Sequence, residues 1–68
     1  MKKGWYHKYT IIKNSDGSEV VDGFVLCPRT DPAARSALIS YAHEIAAENP
    51  QLASDILRAI ADIYKEEL

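Results

Sequence analysis

Thr30-Asp31-Pro32-Ala33-Ala34 and Glu48-Asn49-Pro50-Gln51-Leu52 decide the fold of this chain, because each stretch reads as the start of a helix. In both, an Asx side chain stands where it can accept a hydrogen bond from the unpaired N–H groups of a first turn. The proline that follows takes the first helical position, where no donor is needed and φ is already correct. The two starts predict helices over about 32–48 and 50–66. Working back from them, everything earlier reads as strand.

Trp5 to Lys13 is rich in aromatic and β-branched residues with polar ones interleaved, which predicts a strand over 5–13. Alternation places Trp5, His7, Tyr9 and Ile11 on one face and Tyr6, Lys8, Thr10 and Ile12 on the other. Asn14-Ser15-Asp16-Gly17-Ser18 is a dense turn signal and Asp22-Gly23 a second one. A return strand is expected over about 20–27, centred on Phe24 to Cys27, with Glu19 to Val21 either pairing or belonging to the loop. Phe24-Val25-Leu26-Cys27 is apolar on both faces, the pattern of a strand covered on both sides.

In the first helix Ala34, Ala37, Leu38, Tyr41 and Ile45 form an apolar stripe at helical spacing. Arg35, Ile39 and His43 follow one another in steps of four on a different face, a row that reads as a contact surface. In the second helix Leu52, Ala53, Ile56, Leu57, Ile60, Ile63 and Tyr64 are apolar. At about 100° per residue they span an arc of roughly 200°, wider than the ~100° that faces a single core. The expected architecture is α+β: a β-hairpin followed by two α-helices (ββαα), with the hairpin packed on the helical pair, in a single small domain.

Sixty-eight residues bury only about 60% of the surface that the unfolded chain exposes. Chains of this size lean on disulfides, a structural metal or another subunit. Cys27 is the only cysteine, which excludes an internal disulfide and a thiolate zinc cage. Oligomerisation is what remains, so a homodimer or larger assembly is expected, with Ile12, Val25, Cys27, Ile39 and His43 as candidate interface residues.

Met1-Lys2-Lys3 leads into aromatic and polar residues rather than an apolar run, and no segment is long enough to span a bilayer. The chain is therefore read as cytoplasmic. Its formal net charge is −2, a balance that argues against nucleic acid. The distribution is uneven, because Lys2, Lys3, Lys8 and Lys13 stand in residues 1–13 without a single acid. Those lysines either attract an anion or keep an edge strand from pairing with the wrong chain.

No catalytic constellation is visible, and no enzyme activity, metal or cofactor is expected. His43-Glu44 matches the start of a zinc-protease helix motif, but the second histidine that the motif needs is replaced by Ala47. Cys27 becomes a nucleophile only with a base in reach, for which His7 is the candidate; as a lone cysteine ending an apolar strand it reads as a core or interface residue. Gly4, Gly17 and Gly23 are too scattered for a phosphate loop.

Anion binding at the start of the first helix is the sharpest functional reading. Cys27-Pro28-Arg29-Thr30-Asp31-Pro32 brings free N–H groups and the positive end of the helix dipole together. Arg29 and Arg35 flank that end and can clamp a phosphate, while Trp5, Tyr6, Tyr9 or Tyr41 can stack on a base and Lys8 adds charge. Against it, Asp31 offers a carboxylate to the same N–H groups, and the two arginines can equally pair with acids. A ribbon-helix-helix DNA binder shares this order of elements, yet its ribbon must show polar side chains to the major groove, and Phe24 to Cys27 is apolar. On that reading Tyr6, Lys8 and Thr10 are the better candidates.

Gly4-Trp5 with Lys8-Tyr9, Asp16-Gly17, Phe24-Val25-Leu26, Asp31-Pro32 with Ala34-Arg35, Ala37-Leu38, Tyr41-Ala42 and Asn49-Pro50-Gln51-Leu52-Ala53 together carry a resemblance. The chain resembles a group of short proteins of no established activity carried by bacteriophages and mobile elements. In that group an Arg often follows the Val-Leu pair and a His the first helical Pro, where this chain has Cys27 and Ala33. The resemblance implies a setting in which small proteins act by occupancy, either sequestering a signalling nucleotide of a defence system or blocking a host protein. The expectation is a non-catalytic oligomer that captures a small anionic ligand, with a protein-interaction module as the alternative.

Overall fold

The computed structural model describes residues 4–68, and Lys2 and Lys3 lie outside the described residues. The chain forms an antiparallel strand pair followed by two helices: β1 Ile11–Ile12, β2 Glu19–Val20, α1 Pro32–Ile45 and α2 Pro50–Glu66. It is a small α+β fold, in the order read from the sequence.

Both helix starts are built as their residue types dictate. The Asp31 side chain accepts from the N–H of Ala33 at 3.0 Å, and the Asn49 side chain accepts from the N–H of Leu52 at 3.1 Å. Pro32 and Pro50 take the first helical positions. The first helix stops at Ile45, three residues short of the predicted end. Its last carbonyl takes the N–H groups of both Glu48 and Asn49, at 3.0 and 2.8 Å, so the chain turns over Ala46–Glu48. This early stop has a cause: Asn49 precedes a proline and caps α2 with φ −143°, a conformation outside any helix.

The helices pack on each other through Ala34, Ala42, Ala53, Ile60 and Ile63, together with Arg35. Leu38, Ile39, Ile45 and Ile56 are half-buried around them. In α1 the buried face is rotated from the predicted stripe, since Arg35 and Ala42 lie inside while Ala37 and Tyr41 are exposed. Arg35 causes the rotation, because a guanidinium buried with its hydrogen bonds satisfied holds its own side of the helix inward. In α2 the expected surplus is present, with Leu52, Leu57 and Tyr64 outside the core.

The hairpin departs furthest from expectation. Strands predicted over 5–13 and 20–27 reduce to two residues each, in the register Ile11↔Val20 and Ile12↔Glu19. Glu19 and Val20 pair, whereas Phe24 to Cys27 is not strand and every residue of it is exposed. Neither strand packs against either helix, and Phe24 to Cys27 stays exposed, short of the cover on both faces that its sequence calls for. A two-stranded ribbon without a covered face is marginal, which is why the ladder stops where the turn stops supporting it. That turn is well made. Lys13 N–H donates to the Ser18 carbonyl at 2.8 Å, Gly17 N–H to the Lys13 carbonyl at 2.9 Å, and Gly17 supplies a φ of 75°.

The consequence is an open molecule. Its radius of gyration is 14.0 Å, against about 11 Å for a compact chain of this length. It exposes 5831 Å², where a compact monomer of 7.6 kDa exposes about 4,300 Å². No aromatic ring is buried: Trp5, Tyr6, Tyr9, Phe24, Tyr41 and Tyr64 are all exposed, from 48% at Tyr64 to 75% at Trp5.

Candidate functional site

The residues predicted to bind a ligand separate into two places. Arg29 and Arg35 lie at the link between hairpin and helices, where they meet the C-terminal end of α2. Arg35 is 6% exposed. Its Nε donates to the Pro28 carbonyl at 2.7 Å, one terminal nitrogen to the Arg29 carbonyl at 3.1 Å, and the other to both oxygens of Glu67 at 2.5 and 3.2 Å. The guanidinium carbon also stands 5.2 Å from the centre of the Tyr64 ring. Arg29, on the surface, pairs with Glu66. Both arginines therefore meet acids of their own chain, and Asp31 occupies the helix start as a cap. A phosphate at this link has to displace Glu66 from Arg29 and break into a buried cluster at Arg35.

Trp5, Tyr6, Lys8 and Tyr9 gather elsewhere, on the hairpin. With His7, Phe24, Ile11 and Val20 they line a cleft of about 440 Å³. Alternation would send Tyr6 and Lys8 to the far face of a strand, but residues 5–9 are not strand, and all five line the cleft. The opposite wall is Phe24, whose ring centre lies 4.7 Å from that of Trp5 with the planes tilted by 36°. Such a pair contributes about 0.5–1.5 kcal/mol beyond its area, and it joins the two arms of the hairpin beyond the ladder. The Lys8 ammonium stands 5.7 Å from the centre of the Tyr9 ring, a cation held at an aromatic face. Gly23 closes the floor, since a Cβ there would meet Ile11 Cδ1 at 3.0 Å and Val20 Cγ1 at 3.1 Å.

The candidate interface residues are dispersed. Val25 is a wall of the cleft and 38% exposed, and Ile12 is 51% exposed outside it. Cys27 is exposed and lines a separate groove with Pro28, Arg29 and Glu66. His7 faces the cleft, so the two members of a Cys–His pair stand in different depressions. Ile39 is half-buried and His43 exposed on α1.

Sequence reasoning missed Phe24 as a cleft wall, having taken it for a doubly covered strand, and missed Glu66 and Glu67 as the partners of the arginines. The second omission had a signal. Two adjacent acids at the end of a helix whose antiparallel neighbour begins beside two arginines are placed to meet them.

Chemically the cleft offers faces of aromatic rings, one ammonium, one imidazole and the carboxylate of Asp22; the rings suit a flat molecule, and Lys8 a negative group placed on the side away from Asp22. Among the described residues no group of three or more His, Cys, Asp or Glu side chains gathers, and no helix is long and apolar enough to cross a membrane. Set against protein families, curated proteins and solved structures, the chain finds no match in any of the three.

Proposed function

We propose that this is a non-catalytic, self-associating binding protein that captures a small, flat, anionic ligand such as a nucleotide in the aromatic cleft of the hairpin. The observation that carries this reading is the composition of one cavity. Trp5, Tyr6, Tyr9 and Phe24 converge with Lys8 on about 440 Å³, within the ~300–1,000 Å³ usual for small-ligand sites. Bases stack on such rings whatever their sequence, at about 1–3 kcal/mol per base, and Lys8 supplies the charge that a phosphate needs. Arg29 and Arg35 hold the scaffold instead of the ligand. In the setting implied by the resemblance to phage and mobile-element proteins, the ligand is a signalling nucleotide and capture removes it from a defence system.

Native mass spectrometry of protein purified gently from cells tests this directly. The reading expects an added mass of a few hundred daltons, released on denaturation and absent from a Trp5→Ala, Tyr9→Ala variant. A bare protein that also takes up no member of a nucleotide panel refutes it.

A second reading has its own observation. Ile39 and His43 on α1 and Leu57 and Tyr64 on α2 leave apolar and imidazole surface uncovered on the helices, which suits a module that blocks or scaffolds a host protein. It expects a protein partner to be recovered whose binding is insensitive to changes in the cleft.

A further inference from the structure

The contact between Arg35 and Tyr64 marks one flank of the helical pair. Ile39 and His43 continue that flank along α1 in steps of four from Arg35. Along α2 it contains Ser54, Leu57, Ala61 and Tyr64, spaced by three, four and three. This is the spacing of a helix seam that receives another helix. The seam is uncovered: Leu57 is 38% and Tyr64 48% exposed, and Ser54 and Ala61 are exposed as well.

We propose that this flank is the contact face for a second copy of the chain, two helical pairs closing into a four-helix bundle. The proposal deepens the self-association in the function above and is separable from its ligand. Three observations select a second copy. A helical pair is one layer, and a stable domain needs a second; the paired strands do not supply it, since neither reaches a helix, and the aromatic rings around them stay exposed. The molecule exposes 5831 Å², about 1,500 Å² more than a compact monomer of its mass, an excess spread over hairpin and helices that is large enough to include the share of about 800 Å² that one partner gives to a stable interface. The small residues Ser54 and Ala61 alternate with Leu57 and Tyr64 on α2, so in a two-fold pair they leave room for the larger Ile39 and His43 of the other copy's α1. Arg58 and Lys65 border the seam on α2, and the corresponding border of α1 carries Ser36 and Ser40. Laying α2 of one copy over α1 of the other therefore avoids the like-charge contact that two facing α2 helices would make.

Sedimentation equilibrium of the full chain across micromolar concentrations provides the test, on wild type and on Leu57→Glu and Ala61→Glu variants, with far-UV circular dichroism of each. Wild type is expected at twice 7.6 kDa, and both variants at the monomer mass with the α1–α2 pair still helical. Ala61 is exposed, so its variant keeps the test valid if Leu57→Glu unfolds. A wild type that stays monomeric, a dimer that survives both substitutions, or a monomer that binds only an unrelated protein through this flank overturns the proposal. A dimer that binds no nucleotide leaves this face standing and refutes the cleft alone.

Discussion

Arg35, near the start of the first helix, and Glu67, just past the end of the second, are joined by hydrogen bonds of 2.5 and 3.2 Å while Arg35 is almost wholly buried. One side chain thereby ties three pieces together, because its remaining donors serve the Pro28 and Arg29 carbonyls of the link. A residue type that suggests anion recognition is here a clasp between the hairpin's exit and the helical pair. That changes where a ligand is to be sought and what substitutions should do.

Replacing Arg35 with Ala should destabilise the fold by about 2–4 kcal/mol, since two link carbonyls and a carboxylate lose their partner together and a cavity opens beside Tyr64. Arg29→Ala should cost no more than about 1 kcal/mol, as expected for a pair exposed on both sides. Chemical denaturation of the two variants beside wild type checks the contrast, and equal losses would contradict it.

Removing either helix cap should lower stability by about 1 kcal/mol, because the N–H group that each satisfies is left unpaired. Asp31→Ala and Asn49→Ala are the variants. The Asn49 change should also loosen the turn over Ala46–Glu48, visible as faster amide exchange at Glu48 and at the backbone N–H of position 49.

The hairpin should respond to its turn. Gly17 sits at φ 75°, and Ala at that position costs about 1 kcal/mol, enough to melt a ladder of this length. Loss of the amide protection of Lys13 in Gly17→Ala, with the helices unaffected, is the expected outcome.

Acid should act on the same turn. The Ser18 hydroxyl, and then its backbone N–H, donate to Asp16 and hold its carboxyl below the ordinary value. A lowered folded-state value means that the contribution is present above the ordinary carboxylate range of about 4 and is lost as the pH falls through the lowered value. Chemical shifts of Ser18 followed from pH 6 to pH 2 should report this, and Ser18→Ala should move the Asp16 titration upward.

The helices were legible because their signals are local. Asp31-Pro32 and Asn49-Pro50 each fix a boundary with residues adjacent in sequence, and the structure puts both caps where those residues require. The order of elements and the Asn14–Ser18 turn follow from equally short-range chemistry. The strand lengths were not legible, because Trp5 to Thr10 and Phe24 to Cys27 have strand composition, yet pairing also depends on a covering layer that no residue in the sequence announces. For the candidate site, the sequence placed Trp5, Tyr6, Lys8 and Tyr9 together with Arg29 and Arg35, and the structure separates the two groups. Trp5, Tyr6, Lys8 and Tyr9 share the cleft, while Arg35 was drawn into the core by Glu67, thirty-two positions away. Phe24 was hidden for a related reason, since its apolar neighbours read the same whether they line a cleft or fill a sheet.

Trp5 is the only tryptophan of the chain and a wall of the cleft, so its fluorescence reports binding without a label. A titration of wild type with a panel of linear and cyclic mono- and dinucleotides should give a saturable quench for at least one of them. That quench should persist in Arg29→Ala and vanish in a Lys8→Ala, Tyr9→Ala variant. No saturable change across the panel, or a response lost with Arg29 and kept without Lys8 and Tyr9, would contradict the assignment of the cleft as the binding site.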